Sequence, residues 1–275
     1  MDYNFFDYKY DIEGFDSDLF SATHIVFIIL AYCLTFLLSF LFRKARHRRI
    51  DVGLKVLSIV SIVLELTKIT WESYHDITTG HGFNWVGILP VYTCSLFLYT
   101  LLFAAWTRGR ARRYCLSFLT TIGLLFGAIG VVYCNGLNFY PFWTFGAFYS
   151  LFFHTAMFAT GVFLLSTGYY TLEWRDALRP MVPILLLALV AIPINHVLGP
   201  SGADYMLIYS GSGVPLYEPL AAWLAERGLR FVYTGIMLLT HIPLALLVIA
   251  VYQLIARLAA KRNVAANRRQ AQHAV

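Results

Sequence analysis

Three ionisable residues interrupt an apolar stretch in the first third of the chain. Glu65, Lys68 and Glu72 are three and four residues apart, so on a helix all three project from one face. Ionisable side chains are costly in hydrocarbon, and inside a membrane span they mark substrate pathways, proton relays or ion pairs. The spacing therefore predicts a functional polar patch, with a structural ion pair that locks two helices as the alternative.

The composition predicts that lipid is the solvent for most of the chain. Of the 275 residues, 59% are hydrophobic and 13% are charged, whereas globular proteins carry about 25% charged residues. Several apolar runs reach the roughly 20 residues that cross a bilayer as a helix. The formal charge of +6 lies mostly in short loops and at the C-terminus. This distribution favours contact with membrane lipids over nucleic-acid binding.

Strong signatures of soluble enzymes and metalloproteins are missing from the sequence. The four cysteines lie far apart, without the spacing of metal ligands or of a disulfide framework. There is no glycine-rich phosphate loop and no HExxH or GxSxG motif. We therefore expect no metal and no cofactor.

The fold predicted from these patterns is an all-α integral membrane protein, a seven-transmembrane-helix bundle. Its apolar segments cover approximately residues 20–42, 52–70, 86–106, 114–133, 142–166, 181–198 and 229–258. Lys and Arg concentrate in the loops after segments one, three and five and at the C-terminus, which places the N-terminus outside and the C-terminus inside. Residues 1–19 form an acidic, aromatic non-cytoplasmic tail, either interfacial or mobile. Residues 20–260 form the transmembrane domain and residues 261–275 a basic cytoplasmic tail.

With this topology, polar residues from several segments fall in the outer half of the bilayer. They are His24, Glu65, Lys68, Tyr92, Cys94, His154, Asn195 and His241, followed by Asp204 and Tyr205 in an outer loop. Singly, each has a structural alternative, such as a histidine bonded across helices or a cysteine in an apolar core. Their shared depth predicts a polar cavity that opens to the non-cytoplasmic side.

The order of these residues resembles the YwaF-like family of bacterial integral membrane proteins. The matching pieces are Phe20-Ser21 with His24, Glu65 with Lys68, Leu89-Pro90 with Cys94, Phe153-His154, and Asn195 followed by Gly199 and Asp204-Tyr205. Animal relatives of that family include an acyltransferase acting on ether phospholipids. The resemblance implies a multi-pass protein of the bacterial plasma membrane that acts on phospholipid acyl chains, as an acyltransferase or hydrolase.

Three positions depart from the family pattern. Tyr92 replaces the histidine of the Leu-Pro motif, and Asp204 replaces an asparagine. Val91 stands where the animal enzyme has its proposed nucleophilic cysteine. That nucleophile therefore cannot be transferred position by position. Cys94 matches the cysteine of the bacterial motif and is the candidate nucleophile, with Tyr92 or direct base-assisted attack by the lipid hydroxyl as the alternatives.

Acyl transfer would use Cys94 as nucleophile, His154 as base and Glu65 or Asp204 to orient the imidazole. Lys68, Tyr92 and Asn195 would donate hydrogen bonds to the oxyanion. The substrate-binding set is predicted to be His24, Lys68, Tyr92, Asn195, Asp204, Tyr205 and His241. The same intramembrane groups also suit a small-molecule or proton-coupled transporter, or a ligand-binding protein without catalysis.

Overall fold

A computed structural model of the chain describes residues 3–9, 12, 15–80, 82–211 and 214–273. Within these ranges it contains helices and no β-strand. The α-helices are α1 Ala22–Leu41, α2 His47–Thr78, α3 Trp85–Ile88, α4 Leu96–Trp106, α5 Gly109–Thr120, α6 Ile122–Val132, α7 Phe145–Ser166, α8 Met181–Leu198, α9 Tyr217–Glu226, α10 Arg230–Leu239 and α11 His241–His273. Parts of the two predicted tails (residues 1–2, 10–11, 13–14 and 274–275) lie outside the described residues.

Five helical segments are long and apolar enough to cross a membrane. They are Ala22–Leu41, Gly109–Asn138, Phe145–Ser166, Trp174–Leu198 and Arg230–Lys261. The predictions of an all-α fold and of a multi-pass membrane protein are therefore confirmed. The other two predicted spans, residues 52–70 and 86–106, are not among these five segments. The C-terminal half of α2 carries the ionisable residues Glu65, Lys68, Glu72, His75 and Asp76, and the third predicted span is not a continuous helix.

Residues 89–95 interrupt that third span between α3 and the eleven-residue α4. Pro90 cannot donate a backbone hydrogen bond and disfavours helical geometry at Leu89, which has extended backbone angles. The hydroxyl of Tyr99 donates a hydrogen bond of 3.0 Å to the carbonyl of Pro90. Non-helical backbone at membrane depth is tolerated where protein partners satisfy it or where it lines a cavity.

Two of the longer segments are kinked. The break between α5 and α6 falls at Thr121, whose hydroxyl donates to the carbonyl of Ser117 at 2.6 Å. Such back-bonding competes with the helical ladder and bends helices. The break between α10 and α11 falls at Thr240, because Pro243 cannot donate to the carbonyl four residues before it.

Helix α7 is central, and it packs most closely on α6 through glycines. A Cβ atom at Gly127 would lie 2.4 Å from the amide nitrogen of Phe158, and one at Gly161 would lie 2.6 Å from Cβ of Leu124. Small residues let helix backbones approach closely where the hydrophobic effect between helices is weak. This packing fixes the height and rotation of α7, and with them the side chains that α7 directs toward α2.

The described part of the N-terminal tail is packed against the bundle. The backbone carbonyl of Phe5 accepts a hydrogen bond from the amide of Phe145, and that of Phe6 accepts one from the indole of Trp71. Tyr8 is only 1% exposed and its ring lies against Trp71 and Tyr140. These residues of the tail are therefore docked on the helices, and their position relative to the membrane stays a prediction.

Candidate functional site

A cavity of about 350 Å³ lies between α2, the non-helical residues 89–95, the α6–α7 connection and α7. It brings together five of the ten residues predicted for the site: Glu65, Lys68, Tyr92, Cys94 and His154. These residues come from three separate segments of the chain. The volume lies within the roughly 300–1,000 Å³ of small-molecule sites.

The charged wall of the cavity is the predicted face of α2. The ammonium nitrogen of Lys68 lies 3.9 Å from Oε1 of Glu65 and 3.4 Å from Oε2 of Glu72. The second oxygen of Glu65 accepts a hydrogen bond from the hydroxyl of Tyr149 on α7. With two carboxylates and one ammonium, this wall favours a neutral or cationic polar group over a phosphate.

The opposite wall is the irregular stretch that contains Pro90, Tyr92 and Cys94. Alternate residues of this stretch face different surroundings: Tyr92 lines the polar cavity, whereas Val91 lines a separate apolar groove of about 500 Å³ between α4, α5 and α8. The position where the animal enzyme has its proposed nucleophile thus points away from the polar cavity. Cys94 is the cysteine that lines it in the described part of the chain.

The imidazole of His154 is held in one tautomer. Its Nδ1 lies 2.8 Å from the backbone carbonyl of Ser150, and because a carbonyl only accepts, Nδ1 carries the proton. Nε2 of the neutral ring then keeps its lone pair. The ring also rests on α6, since a Cβ atom at Gly130 would lie 2.0 Å from Cδ2 of His154.

The hydrogen bond that His154 donates to the carbonyl of Ser150 bears on the orienting role predicted for two carboxylates. Glu65 is engaged with Tyr149 and Lys68, and Asp204 accepts hydrogen bonds from the amides of Tyr209 and Ser210. The contact that orients His154 therefore comes from the backbone of its own helix. Orientation of His154 by Glu65 or Asp204 stays a prediction, and it would require a carboxylate to replace this backbone contact.

His24 lies outside the cavity, at the start of α1. Its Nδ1 accepts a hydrogen bond from the amide of Phe20, and its Nε2 donates one to the carbonyl of Val131 at the end of α6. The residue is fully buried. A substrate contact by His24, as predicted, would require one of these two bonds to break.

A turn beside the cavity contains Asp204 and Tyr205, and Asn195 holds it through hydrogen bonds. The side chain of Asn195 bonds both the amide and the carbonyl of Tyr205, at 2.8 Å and 2.9 Å. The next two residues, Met206 and Leu207, have positive φ angles of 62° and 56°, which are strained for such side chains. The centroid of the Tyr205 ring lies 5.0 Å from that of Tyr92. This turn therefore supports one wall of the cavity.

His241 also lies away from the cavity, at the kink between α10 and α11. It is 5% exposed, and its Nδ1 is 3.1 Å from the carbonyl of Leu238. Its ring contacts that of Phe126. The histidine thus bonds a backbone carbonyl in the last turn of α10, beside the kink, and substrate binding by it stays a prediction.

Several lining residues were not anticipated from the sequence. Tyr149 and Ser150 precede His154 by five and four residues, and Trp71 and Tyr140 lie toward the docked tail. Aromatic residues are frequent in apolar spans, so composition alone does not separate these from lipid-facing ones. Helical spacing from His154 is the signal that could have found Ser150.

Comparison with known protein families identifies the family of the chain. The sequence profile of the TMEM164 family matches residues 19–255, which include every cavity residue and all but the C-terminal part of α11. The chain belongs to the TMEM164 family. No significant match was found among curated proteins or among solved structures. As a member of the TMEM164 family, the chain is a polytopic membrane protein whose family region contains the whole candidate site.

Proposed function

We propose that the chain is a membrane acyltransferase or hydrolase that acts on phospholipid acyl chains in this cavity. The observation that supports the proposal is the grouping of a thiol, an imidazole and hydrogen-bond donors around one polar volume: Cys94, His154, Lys68 and Tyr92. These are the components of nucleophilic acyl transfer. The resemblance to the YwaF-like family and its animal acyltransferase relative supports the same reaction.

In this reaction Nε2 of His154 takes the proton of the Cys94 thiol as the sulfur attacks the carbonyl carbon of a lipid ester. The oxyanion formed accepts hydrogen bonds from Lys68 or Tyr92. When the ester bond breaks, the departing alkoxide takes the proton back from His154. An acceptor hydroxyl, or water in a hydrolase, then attacks the thioester, with His154 again moving the proton, and restores the thiol. Glu65 acts as a positioning residue through Lys68 and Tyr149.

We also propose that the chain crosses the membrane seven times, with the N-terminus outside. Helix α2 and the segment formed by α3, residues 89–95 and α4 would be the two spans beyond the five apolar ones. Both line the cavity, so their charges and irregular backbone face protein and not lipid. The short basic loops support an inside position for the other end of the bundle, and the resemblance to the YwaF-like family supports a bacterial plasma membrane.

The test is acyl transfer by the purified protein in phosphatidylcholine vesicles with a lysophospholipid acceptor, followed by lipid mass spectrometry. Cys94→Ser is expected to lose transfer, whereas Cys33→Ser, an exposed cysteine on α1, should keep it. Retained transfer in Cys94→Ser with loss in His154→Ala would replace the thioester by direct attack of the acceptor hydroxyl. Retention in both variants would remove catalysis from this cavity.

A second candidate, proton or cation transport, is favoured by one observation. Both carboxylate oxygens of Asp76 are buried without a hydrogen bond in the described structure, and Oε2 of Glu72 is buried with only the ion pair to Lys68. Together with Glu65 they continue along one face of α2. If this line conducts, Glu65→Gln should abolish gradient-driven uptake into vesicles. Absence of any proton-coupled flux in wild-type vesicles would count against it.

A further inference from the structure

A long apolar groove separates α1 from α2, on the side of α7 away from the polar cavity. It consists of two adjoining volumes of about 700 Å³ and 710 Å³. Four residues line both volumes, so the groove is continuous: Leu57, Thr155, Ala159 and Thr160. Each volume has the size of a ligand site.

The groove exists because consecutive helices pack on different neighbours. Helix α1 packs on α7 and α6, and α2 packs on α4 and α7, although residues 42–46 alone connect α1 to α2. Gly53 on α2 lies in the wall, and a Cβ atom there would meet nothing within 4 Å. The gap is thus open at a position where most bundles place interlocking side chains.

One end of the groove is basic. Lys44 and Arg49 line it there and are both exposed. Neither forms a salt bridge within the part of the chain that the structure describes. They belong to the stretch RKARHRR, residues 43–49. In contrast, other basic residues at this end of the bundle, such as Arg112 and Arg179, are paired with carboxylates.

We propose that this groove binds an anionic phospholipid, with its acyl chains between α1 and α2 and its phosphate at Lys44 and Arg49. The apolar walls match the chains, and two unpaired cations at the membrane surface match a headgroup with net negative charge. Basic pockets between helices at this face of a membrane bind anionic headgroups in the same manner. A zwitterionic lipid could occupy the walls but would gain less from the two cations.

This site is independent of the proposed catalysis, because none of its lining residues lines the polar cavity. The two sites also differ in charge. The cavity has an excess of carboxylates, and the groove has unpaired cations. A lipid in the groove is therefore a bound partner of the fold and does not need to be a substrate.

Native mass spectrometry of the purified full-length protein tests the proposal, with dioleoyl phosphatidylglycerol and dioleoyl phosphatidylcholine as probes. We expect wild-type protein to retain phosphatidylglycerol preferentially. Lys44→Gln with Arg49→Gln should weaken that binding by about tenfold to thirtyfold, from the effect of roughly two surface charges. Binding of phosphatidylcholine should change little. Soluble glycerol phosphate in excess should not displace the lipid.

Two further variants separate the groove from general attraction to a basic surface. Arg108→Gln with Arg110→Gln removes two exposed charges at the start of α5 and should leave binding unchanged. Gly53→Trp fills the groove and should block both lipids without removing a charge. Wild-type affinity in the Lys44/Arg49 variant, or equal loss in the Arg108/Arg110 variant, would overturn the proposal. Unchanged lipid binding in Gly53→Trp would also overturn it.

Discussion

Two clusters of polar residues stabilise opposite parts of the bundle, and they differ in how completely their atoms are paired. The basic-end cluster comprises Asp51, Arg112, Tyr169, Glu173, Asp176 and Arg179. In it, Asp176 accepts from the hydroxyl of Tyr170 at 2.6 Å, from Arg179 at 2.8 Å and from the amide of Glu173 at 2.8 Å. The cavity cluster of Glu65, Lys68, Tyr92, Cys94 and His154 surrounds an open volume.

The difference indicates which cluster serves the fold and which is available for chemistry. A buried charge with all its hydrogen-bonding positions occupied ties elements together and has no capacity left for a ligand. Asp176 holds the α7–α8 connection in this way. The ion pairs of Arg112 with Asp51 and of Arg113 with Glu173 join that connection, α5 and α2, although Nε of Arg112 is buried without a hydrogen bond among the described residues. Burial and the hydrogen bond to Asp51 raise the pKa of Tyr169 to about 12, so its hydroxyl keeps the proton that this bond requires. In the cavity, Nε2 of His154 and the thiol of Cys94 are the groups available to act.

The largest expected effect follows removal of His154, the base proposed for the cavity. His154→Ala should lower acyl transfer by about a thousandfold, the usual size of a general base contribution. The change should leave the free energy of unfolding nearly unaffected relative to Asp176→Ala. Transfer rates in vesicles, normalised to folded protein, measure the effect. A decrease below tenfold would contradict the role of His154.

The basic-end cluster should show the opposite response. Asp176→Ala removes a fully buried carboxylate, leaves the partly buried guanidinium of Arg179 with Glu173 as its remaining partner, and should lower the free energy of unfolding by about 3 kcal/mol. Titration with SDS in detergent micelles measures it. Glu173→Ala is the matched control, because that side chain is 52% exposed and should cost at most about 1 kcal/mol. Equal losses in the two variants would show that burial does not govern this cluster.

Gly130→Ala tests whether the packing of α6 against α7 positions the base. The added Cβ atom would lie 2.0 Å from Cδ2 of His154, so the ring must move. Misplacement of a catalytic group by about 1 Å can cost about a hundredfold in rate. We expect transfer to fall by that order while lipid binding remains. Gly235→Ala, where a Cβ meets nothing within 4 Å, should have no effect.

The smallest expected effect is a pH dependence at the basic end. Burial alone would raise the pKa of Asp51, but hydrogen bonds from Tyr169 and Arg112 lower it below its ordinary value of 3.8. A lowered pKa contributes stability that is present above pH 3.8 and is lost as pH falls through the folded-state value. Asp51→Asn should therefore lower the melting temperature slightly at pH 6. The difference should shrink progressively as pH falls below 3.8, and a constant difference would exclude this origin.

Periodicity and charge were sufficient to predict the helical, multi-pass fold. The charged face of α2 was also predictable, because residues three and four positions apart share a helix face. The interruption at residues 89–95 was signalled by Pro90, but which of its side chains face the cavity was not. Val91 and Tyr92 point to different volumes, and in a non-helical stretch no fixed period gives that direction.

Depth in the membrane grouped residues that line the cavity with residues that lie outside it. It placed Cys94, His154 and Glu65 together, and they line one cavity. It also included His24 and Asn195, whose side chains bond backbone groups instead. Depth along the membrane normal says nothing about rotation of a helix about its axis. That rotation is set by packing such as the contact of Gly130 with His154.

Intact-mass spectrometry of the protein after incubation with phospholipid tests whether Cys94 and His154 act together in the cavity. Acid quenching should reveal an added acyl mass that maps to Cys94, is lost in Cys94→Ser and persists in Cys33→Ser. It should accumulate when no acceptor is supplied and disappear when a lysophospholipid is added. An adduct at another residue, or none while acyl transfer proceeds, would contradict the thioester mechanism.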